Sequence, residues 1–408
     1  MQPIIIIGII IVSGFILGVI ACRLGLPKIT GYMAAGVLLN PELTHFIPET
    51  FVDHTAPVTN LALAFITFSV GGTVVFATVR SLGKRIVSIT IFEAEFAFLA
   101  ILSAFIFLGP LIIPQNGNAA LTTIFIPLAL LLAALASPTD PSAVLAVSHE
   151  YHAKGEVTST IMSVAAFDDI LGIINYSISV SVAGIFILNE PFRAALIVAP
   201  LLVIAGSVAL GTGFGLLLNG LTRMAKNDTE GVLIVLVIGM LALCYGIAGM
   251  VGLEALLSTM TMGIMVTNFN IQRDKMFQIL ERYTEELVFV LFFTISVMHL
   301  DFSVLLANYQ LILIFVVCRA TGKVAGTMLG AAVSGASPKV RKYTVGGLIP
   351  QGGIVIGLAL VMQQNQSFGH VTDIVINVII GATIIHELTG PLIAKVFLKK
   401  AGELDPQT

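Results

Sequence analysis

Ile161-Met162-Ser163-Val164-Ala165-Ala166-Phe167-Asp168-Asp169-Ile170-Leu171-Gly172-Ile173-Ile174-Asn175 sets two adjacent carboxylates inside one of the longest apolar stretches of the chain. Neither the residues before the pair (161–167) nor those after it (170–187) offer it water. A charge at the centre of a bilayer costs at least about 2.5–3.5 kcal/mol on insertion scales, so such a pair marks a functional site by default. What two buried carboxylates do is take up and release protons or cations. The rest of the chain decides whether it has the means to carry them across.

The composition is that of a membrane protein. Hydrophobic residues make up 57% of the chain and charged residues only 11%, with a mean hydropathy of +1.02. A net charge of −3 gives nucleic acid no electrostatic foothold. The three cysteines, Cys22, Cys244 and Cys318, stand far apart in apolar runs and read as buried thiols rather than a disulfide or metal set. Val19-Ile20-Ala21-Cys22 imitates a lipoprotein cleavage site, but no Lys or Arg precedes the apolar run, so the first run is expected to stay as a helix.

Hydropathy gives about thirteen runs long enough to span a bilayer. The Lys and Arg residues test that number. With Arg23 and Lys28 placed on the cytoplasmic side, every second inter-span segment is basic. Those segments carry Arg80, Lys84 and Arg85; Lys154; Arg223 and Lys226; Arg273, Lys275 and Arg282; Lys339, Arg341 and Lys342; and Lys395, Lys399 and Lys400. Only Arg193 falls outside, and only Arg319 and Lys323 fall within a span. This bias predicts the N-terminus outside and the C-terminus in the cytoplasm, which requires an odd number of spans.

The topology contains a symmetry. Six spans in residues 1–188 begin outside, six in 231–400 begin inside, a linker span occupies 189–230, and 401–408 form a short tail. Equal halves of opposite orientation are the arrangement of inverted-repeat transporters. The fifth span of the first half contains Ser137-Pro138-Thr139-Asp140-Pro141, and that of the second half contains Gly346-Gly347-Leu348-Ile349-Pro350-Gln351-Gly352-Gly353. Proline removes a backbone donor and clashes with the preceding turn, so neither helix continues unbroken. Interrupted segments in matching positions point to a midplane binding site. Asp140 stands where it can balance exposed helix N-termini.

Asp168 and Asp169 lie about 100° apart around their helix, so one can meet a fixed counter-charge while the other faces a cavity. Arg319 and Lys323, four residues apart on one helical face, are the available counter-charges. A structural ion pair holding the bundle together is the competing use for either.

These residues together resemble the monovalent cation:proton antiporter superfamily, in the branch with paired aspartates. The resemblance covers nearly the whole chain. It includes Pro27-Lys28-Ile29-Thr30-Gly31-Tyr32-Met33-Ala34-Ala35-Gly36-Val37-Leu38-Leu39-Asn40-Pro41 and Gly390-Pro391. Its most specific part is the Ser137–Pro141 break, then Phe167-Asp168-Asp169, then Arg319-x-x-x-Lys323.

The resemblance implies an all-α polytopic membrane protein of thirteen transmembrane helices, with two inverted six-helix repeats and crossed discontinuous helices. It implies a transporter, not an enzyme, exchanging Na⁺ or K⁺ for H⁺ with no resident cofactor. Asp169 is then the exchanging carboxylate, Asp168 the partner of Lys323, and Thr139 and Asp140 lie at the helix crossing. Spans four to six and eleven to thirteen form a moving core, and the others form a scaffold that pairs two copies as a homodimer. Membrane lipid and a small inorganic cation are the remaining partners, in a prokaryotic plasma membrane.

Two stretches depart from the pattern. Val70-Gly71-Gly72-Thr73 replaces a glutamate after a Gly-Leu pair, and Pro350-Gln351-Gly352-Gly353 replaces Pro-x-Gly-Glu. Smaller expectations attach to Glu93 or Glu95 as an accessory carboxylate, Glu254 near a span end, and His386-Glu387 as a buried polar contact. His149 and His152 are loop groups that titrate near neutrality.

Competition between a proton and a cation at one carboxylate, combined with rocking of core against scaffold, gives obligatory exchange. Whether one or two protons move depends on whether Asp168 and Lys323 stay paired. Three rivals remain. An intramembrane aspartyl protease needs its aspartates to converge from different helices, which neighbours on one helix do not do. A same-fold transporter of another solute keeps the crossed helices without needing the acidic pair. A K⁺ efflux or sensory derivative lacks tight proton coupling.

Overall fold

The computed structural model describes residues 2–24, 26, 28–113, 121–140, 153–188, 195–224, 230–299, 302, 306, 308–351, 353–363 and 368–404. No strand occurs among them; every regular element is helical. The longer helices are α1 (Pro3–Arg23), α2 (Lys28–Leu39), α3 (Ala56–Thr73), α4 (Phe76–Ile112), α5 (Ile126–Ala134), α6 (Glu156–Leu188) and α7 (Ala195–Met224). They continue with α8 (Glu230–Met250), α9 (Ala255–Phe269), α10 (Glu286–Met298), α11 (Tyr309–Val333), α12 (Gly353–Gln363) and α13 (His370–Lys400).

Among the described residues six helical stretches are long and apolar enough to cross a membrane. These are α1, Gly83–Ile112 of α4, Glu156–Ile187 of α6, Leu201–Met224 of α7, α8 and α11. Several others are apolar but short: the 12 residues of α2 cover about 18 Å at 1.5 Å per residue, against a hydrocarbon layer of about 30 Å. The protein is thus an integral membrane protein built of helices. Pro141, His149, His152, Arg193 and Gly352 fall outside the described residues, as do the side chains of Glu387 and Pro391.

The chain forms two compact units. One comprises Met1–Val19, Gly31–Ser81 and Ala194–His299; the other comprises Ile20–Thr30, Leu82–Arg193 and Leu300–Thr408. The boundary near residue 82 falls beside Gly83, whose φ of 63° interrupts α4 in a conformation that glycine tolerates and side chains do not.

In the first unit α9 packs on α3 and α7. A Cβ on Gly71 would lie 2.0 Å from the Met260 carbonyl, and one on Gly263 would lie 2.1 Å from that of Phe68, so the two backbones touch. Thr67 and Thr259 share a hydroxyl hydrogen bond of 2.7 Å, and the Thr267 hydroxyl donates to the Gly72 carbonyl at 2.7 Å. Close backbones and interhelical hydrogen bonds hold helices together where lipid supplies no hydrophobic drive.

The second unit has the same device on α11. Gly322, Gly326 and Gly330, spaced by four, face α4; a Cβ on them would come within 2.7 Å of Ala97, 2.2 Å of Phe92 and 2.8 Å of Ile89. α5 packs on α6, where Gly172 leaves room for the Pro138 ring.

At one end of this unit Arg85 pairs with Glu156 at 2.6 Å, and the Ser337 hydroxyl donates to the other Glu156 oxygen at 2.8 Å. Lys339 lies 3.2 Å from Glu403. Four segments that the charge pattern assigns to one side of the membrane therefore meet at one end of the unit.

Candidate ion-exchange site

The site is built where two helices stop. α5 ends at Ala134, and 137–140 continue without helical structure; 348–351 do the same ahead of α12. The two runs touch: the Asp140 amide donates to the Pro350 carbonyl at 3.1 Å, and the Gln351 side chain donates to the Leu135 carbonyl at 2.8 Å. Helix ends carry carbonyls with no intrahelical partner, a severe cost away from water. Arg319 answers that need. Fully buried on α11, it donates to the carbonyls of Ala136 at 2.9 Å, Ile349 at 2.5 Å, Pro138 at 2.7 Å and Pro350 at 3.5 Å. Its five fixed donors suit such a fan of acceptors, and it keeps its charge at any working pH.

Lys323, one turn along α11 and also fully buried, reaches a different set. Its ammonium donates to Glu93 of α4, to the Ser137 carbonyl at 2.7 Å and to the Thr139 hydroxyl at 2.7 Å. Asp168 of α6 stands 3.5 Å away. Thr139 donates its hydroxyl to one Asp168 oxygen and its amide to the other, the latter at 3.3 Å. Asp168 is thus paired with Lys323 both directly, at 3.5 Å, and through Thr139. The glycine face of α11 makes this possible, because Gly326 brings the backbone of α11 against that of Glu93.

Asp169 is different. It is 3% exposed and has no hydrogen-bond partner among the described residues. Asp168, Asp140 and Glu93 act on it as like charges, and Lys323 as the opposite one. With all groups ionised, four carboxylates (Glu93, Asp140, Asp168, Asp169) face two cations (Arg319, Lys323). That imbalance attracts small positive ions.

All six residues singled out from the sequence belong to this unit, but their roles differ from the expectation in two ways. Arg319 binds carbonyls rather than a carboxylate. Lys323 holds Glu93 more closely than Asp168. Three further participants were named from the sequence without a role at this site: Ser137 of the first break through its backbone, Gln351 of the second, and His386, expected as a buried polar contact, whose Nδ1 meets the Gln351 oxygen at 3.0 Å. Since that amide already donates its nitrogen to Leu135, its oxygen accepts and the histidine donates. Glu95 accepts from Asn175 at 3.1 Å, and the same amide donates to the Ser137 hydroxyl at 3.3 Å. Glu254 lies in the other unit, its amide bonded to the Ser207 hydroxyl at 2.8 Å.

Residues 8–400 match the family described as sodium/hydrogen exchanger, transmembrane. The chain belongs to that family. The family's description is of a transmembrane exchanger, a transporter rather than an enzyme. The chain is similar to the Na(+)/H(+) antiporter 1 of Methanocaldococcus jannaschii, 26% identical over 186 residues; the match spans 45% of this chain and 41% of that protein.

Its fold is that of the sodium proton antiporter MjNhaP1 from the same organism. The structure at pH 8 superposes with a TM-score of 0.77 at 20% identity, covering 98% of both chains. A second structure of that protein, from an electron-microscopy map, gives 0.73 at 20% identity over 99% of this chain and 98% of the other.

Within this family member the two departures from the expected pattern have structural uses. Val70–Thr73 is where Gly71 lets α3 touch α9 and Gly72 lies against the Phe277 ring. In the Pro350–Gly353 stretch, Gln351 bridges the end of α5 to His386, so a neutral amide occupies the crossing.

Proposed function

We propose that this protein is a secondary active transporter that exchanges Na⁺ (or K⁺) for H⁺ by alternating access, with ion and proton competing for Asp169. One observation carries the reading: Asp169 is a buried carboxylate with no hydrogen-bond partner among the described residues. An isolated buried charge costs several kcal/mol, so it is held in occluded form only with a proton or a cation on it. The empty site therefore does not cross, and each passage in one direction carries whichever ion Asp169 holds. The name of the curated relative favours Na⁺ as the cation.

Thr139 and Asp140, at the crossing, complete the cation's oxygen set, and Asp168 joins it when Thr139 releases it. Lys323 and Arg319 hold the crossed segments while this happens. The compact unit containing 82–193 and 300–408 is the moving part, and the unit containing 194–299 is the scaffold through which two copies pair. The topology follows the charge pattern: thirteen spans, inverted repeats in 1–188 and 231–400 joined by a linker span in 189–230, the N-terminus outside and the tail 401–408 in the cytoplasm of a prokaryotic cell.

Everted vesicles loaded by respiration and monitored with a pH-sensitive dye test the proposal. Added Na⁺ should collapse the proton gradient in the wild type and leave it intact in Asp169→Asn, with K⁺ and Li⁺ giving the selectivity. Equal dequenching in both proteins removes Asp169 from the mechanism.

A further inference from the structure

The first turn of α6, the helix that carries both aspartates, has no cap of its own. The residue before it is Gly155, which brings no side-chain acceptor for the free N–H groups at a helix start. The acceptor comes from the other end of the chain. The Glu403 carboxylate, 1% exposed, accepts the Val157 amide at 3.0 Å on one oxygen. On the other it accepts the Thr158 amide at 2.8 Å and the Thr158 hydroxyl at 2.9 Å. Its own carbonyl accepts the Lys154 amide at 3.0 Å. The room for this is specific: a Cβ on Gly155 would lie 2.2 Å from the carboxyl carbon of Glu403.

The same carboxylate faces Lys339 at 3.2 Å, on the short helix Pro338–Tyr343 that leads into the second broken segment. Glu403 thus joins the starts of both limbs that end in the ion site. Asp168 lies eleven positions along α6 from Val157, so any axial slip or rotation of its first turn passes along the rod to the carboxylates.

We infer that Glu403 is a positioning residue for ion exchange: it sets the axial position and rotation of α6, and through them the placement of Asp168 and Asp169 against Thr139 and Asp140. The inference rests on the antiport reading above but concerns a residue that touches no transported ion.

Its working range follows from its surroundings. Burial alone pushes the Glu403 carboxyl up, but the Thr158 and Val157 amides, the Thr158 hydroxyl and Lys339 outweigh it and hold the group below the ordinary glutamate value of 4.5. Glu156, with its partners Arg85 and Ser337, is the other charged cluster at this end, and Lys154 is exposed beside it. A depressed carboxyl stabilises the fold above its ordinary value and loses that contribution as pH falls through the lowered one. The clasp is therefore closed at any neutral pH; it positions, and does not sense.

The test is a double-mutant cycle in everted vesicles. Glu403→Gln replaces one acceptor oxygen with an amide that opposes the N–H groups, and Gly155→Ala wedges a methyl into the same contact. Each should raise the apparent KM for Na⁺ about threefold to tenfold, the span expected for losing one helix cap. Each should also displace the pH profile of exchange with little change in maximal rate. The double variant should be no worse than either single one, because both break one contact.

Wild-type KM and pH profile in the single variants overturn the inference, whether or not their melting temperatures fall. Additive losses in the double variant overturn it too. The Asp169→Asn control separates the two readings: exchange that persists there defeats the antiport site itself, whereas an unaffected Glu403→Gln defeats only the positioning role.

Discussion

A buried ammonium with three anionic or hydroxyl partners is worth taking apart one partner at a time. Lys323 is fully buried, and Glu93 is its nearest carboxylate. Removing Glu93 leaves the charge with Thr139, the Ser137 carbonyl and a carboxylate 3.5 Å away. Breaking one side of a buried pair costs about 3–5 kcal/mol, whereas replacing both partners by apolar groups is often neutral. Glu93→Ala should therefore lower the melting temperature sharply in detergent, and Glu93→Ala combined with Lys323→Met should recover most of the loss. A single variant that melts like the wild type would show Asp168 to be the dominant partner after all.

The site was only partly legible at this scale. An acidic pair inside an apolar run and two cations one turn apart announce themselves, because nothing but function or mutual pairing keeps charges there. Which carboxylate Lys323 chooses depends on how closely α4 approaches α11, a distance no single residue states. The assignment of Arg319 to carbonyls was hidden for the same reason: backbone acceptors have no letter in the sequence.

Elements carry the second part of the account. The breaks at 137–140 and 348–351 were legible, since Pro138 and Pro350 each lack the donor a continuing helix needs. The glycine spacing of α11, Gly322-x-x-x-Gly326-x-x-x-Gly330, gains meaning only when α4 is known to lie against it. That face yields a contrast between two alanines. A Cβ on Gly326 would meet the Phe92 carbonyl at 2.2 Å, and that oxygen belongs to a helix backbone that cannot step aside locally. Gly326→Ala should cost about 1–3 kcal/mol, as overpacking does, and push Lys323 away from Glu93. Gly213 in α7 has nothing within 4 Å of the added carbon, so Gly213→Ala should be neutral or stabilise by about 0.4–1 kcal/mol. Thermal melts of the two purified variants, followed side by side, distinguish packing from helix propensity.

At the scale of the whole molecule the most informative signal was the distribution of Lys and Arg, because insertion sorts loops by charge whatever the fold between them. In the second compact unit Arg85, Glu156, Ser337 and Glu403 come from four separate segments of the chain and join at one end. The clasp itself was not legible, since a lone glutamate in a polar tail looks like a solvated charge until the empty cap position at Gly155 is seen beside it.

One-sidedness has a consequence that labelling can check. α11 has 25 residues, about 37 Å at 1.5 Å per residue, more than the hydrocarbon thickness of about 30 Å. As a proposed span, it should emerge with its two ends on opposite faces of the membrane. In a chain with Cys22, Cys244 and Cys318 replaced by serine, Lys84→Cys, Lys154→Cys and Lys342→Cys should react with an impermeant maleimide from one face only, and Gln310→Cys only from the other. In right-side-out vesicles the proposed orientation, with the basic segments in the cytoplasm, predicts that the first three are protected and Gln310→Cys is labelled. Labelling of Lys84→Cys and Gln310→Cys from the same side would break the alternation on which the proposed span order depends.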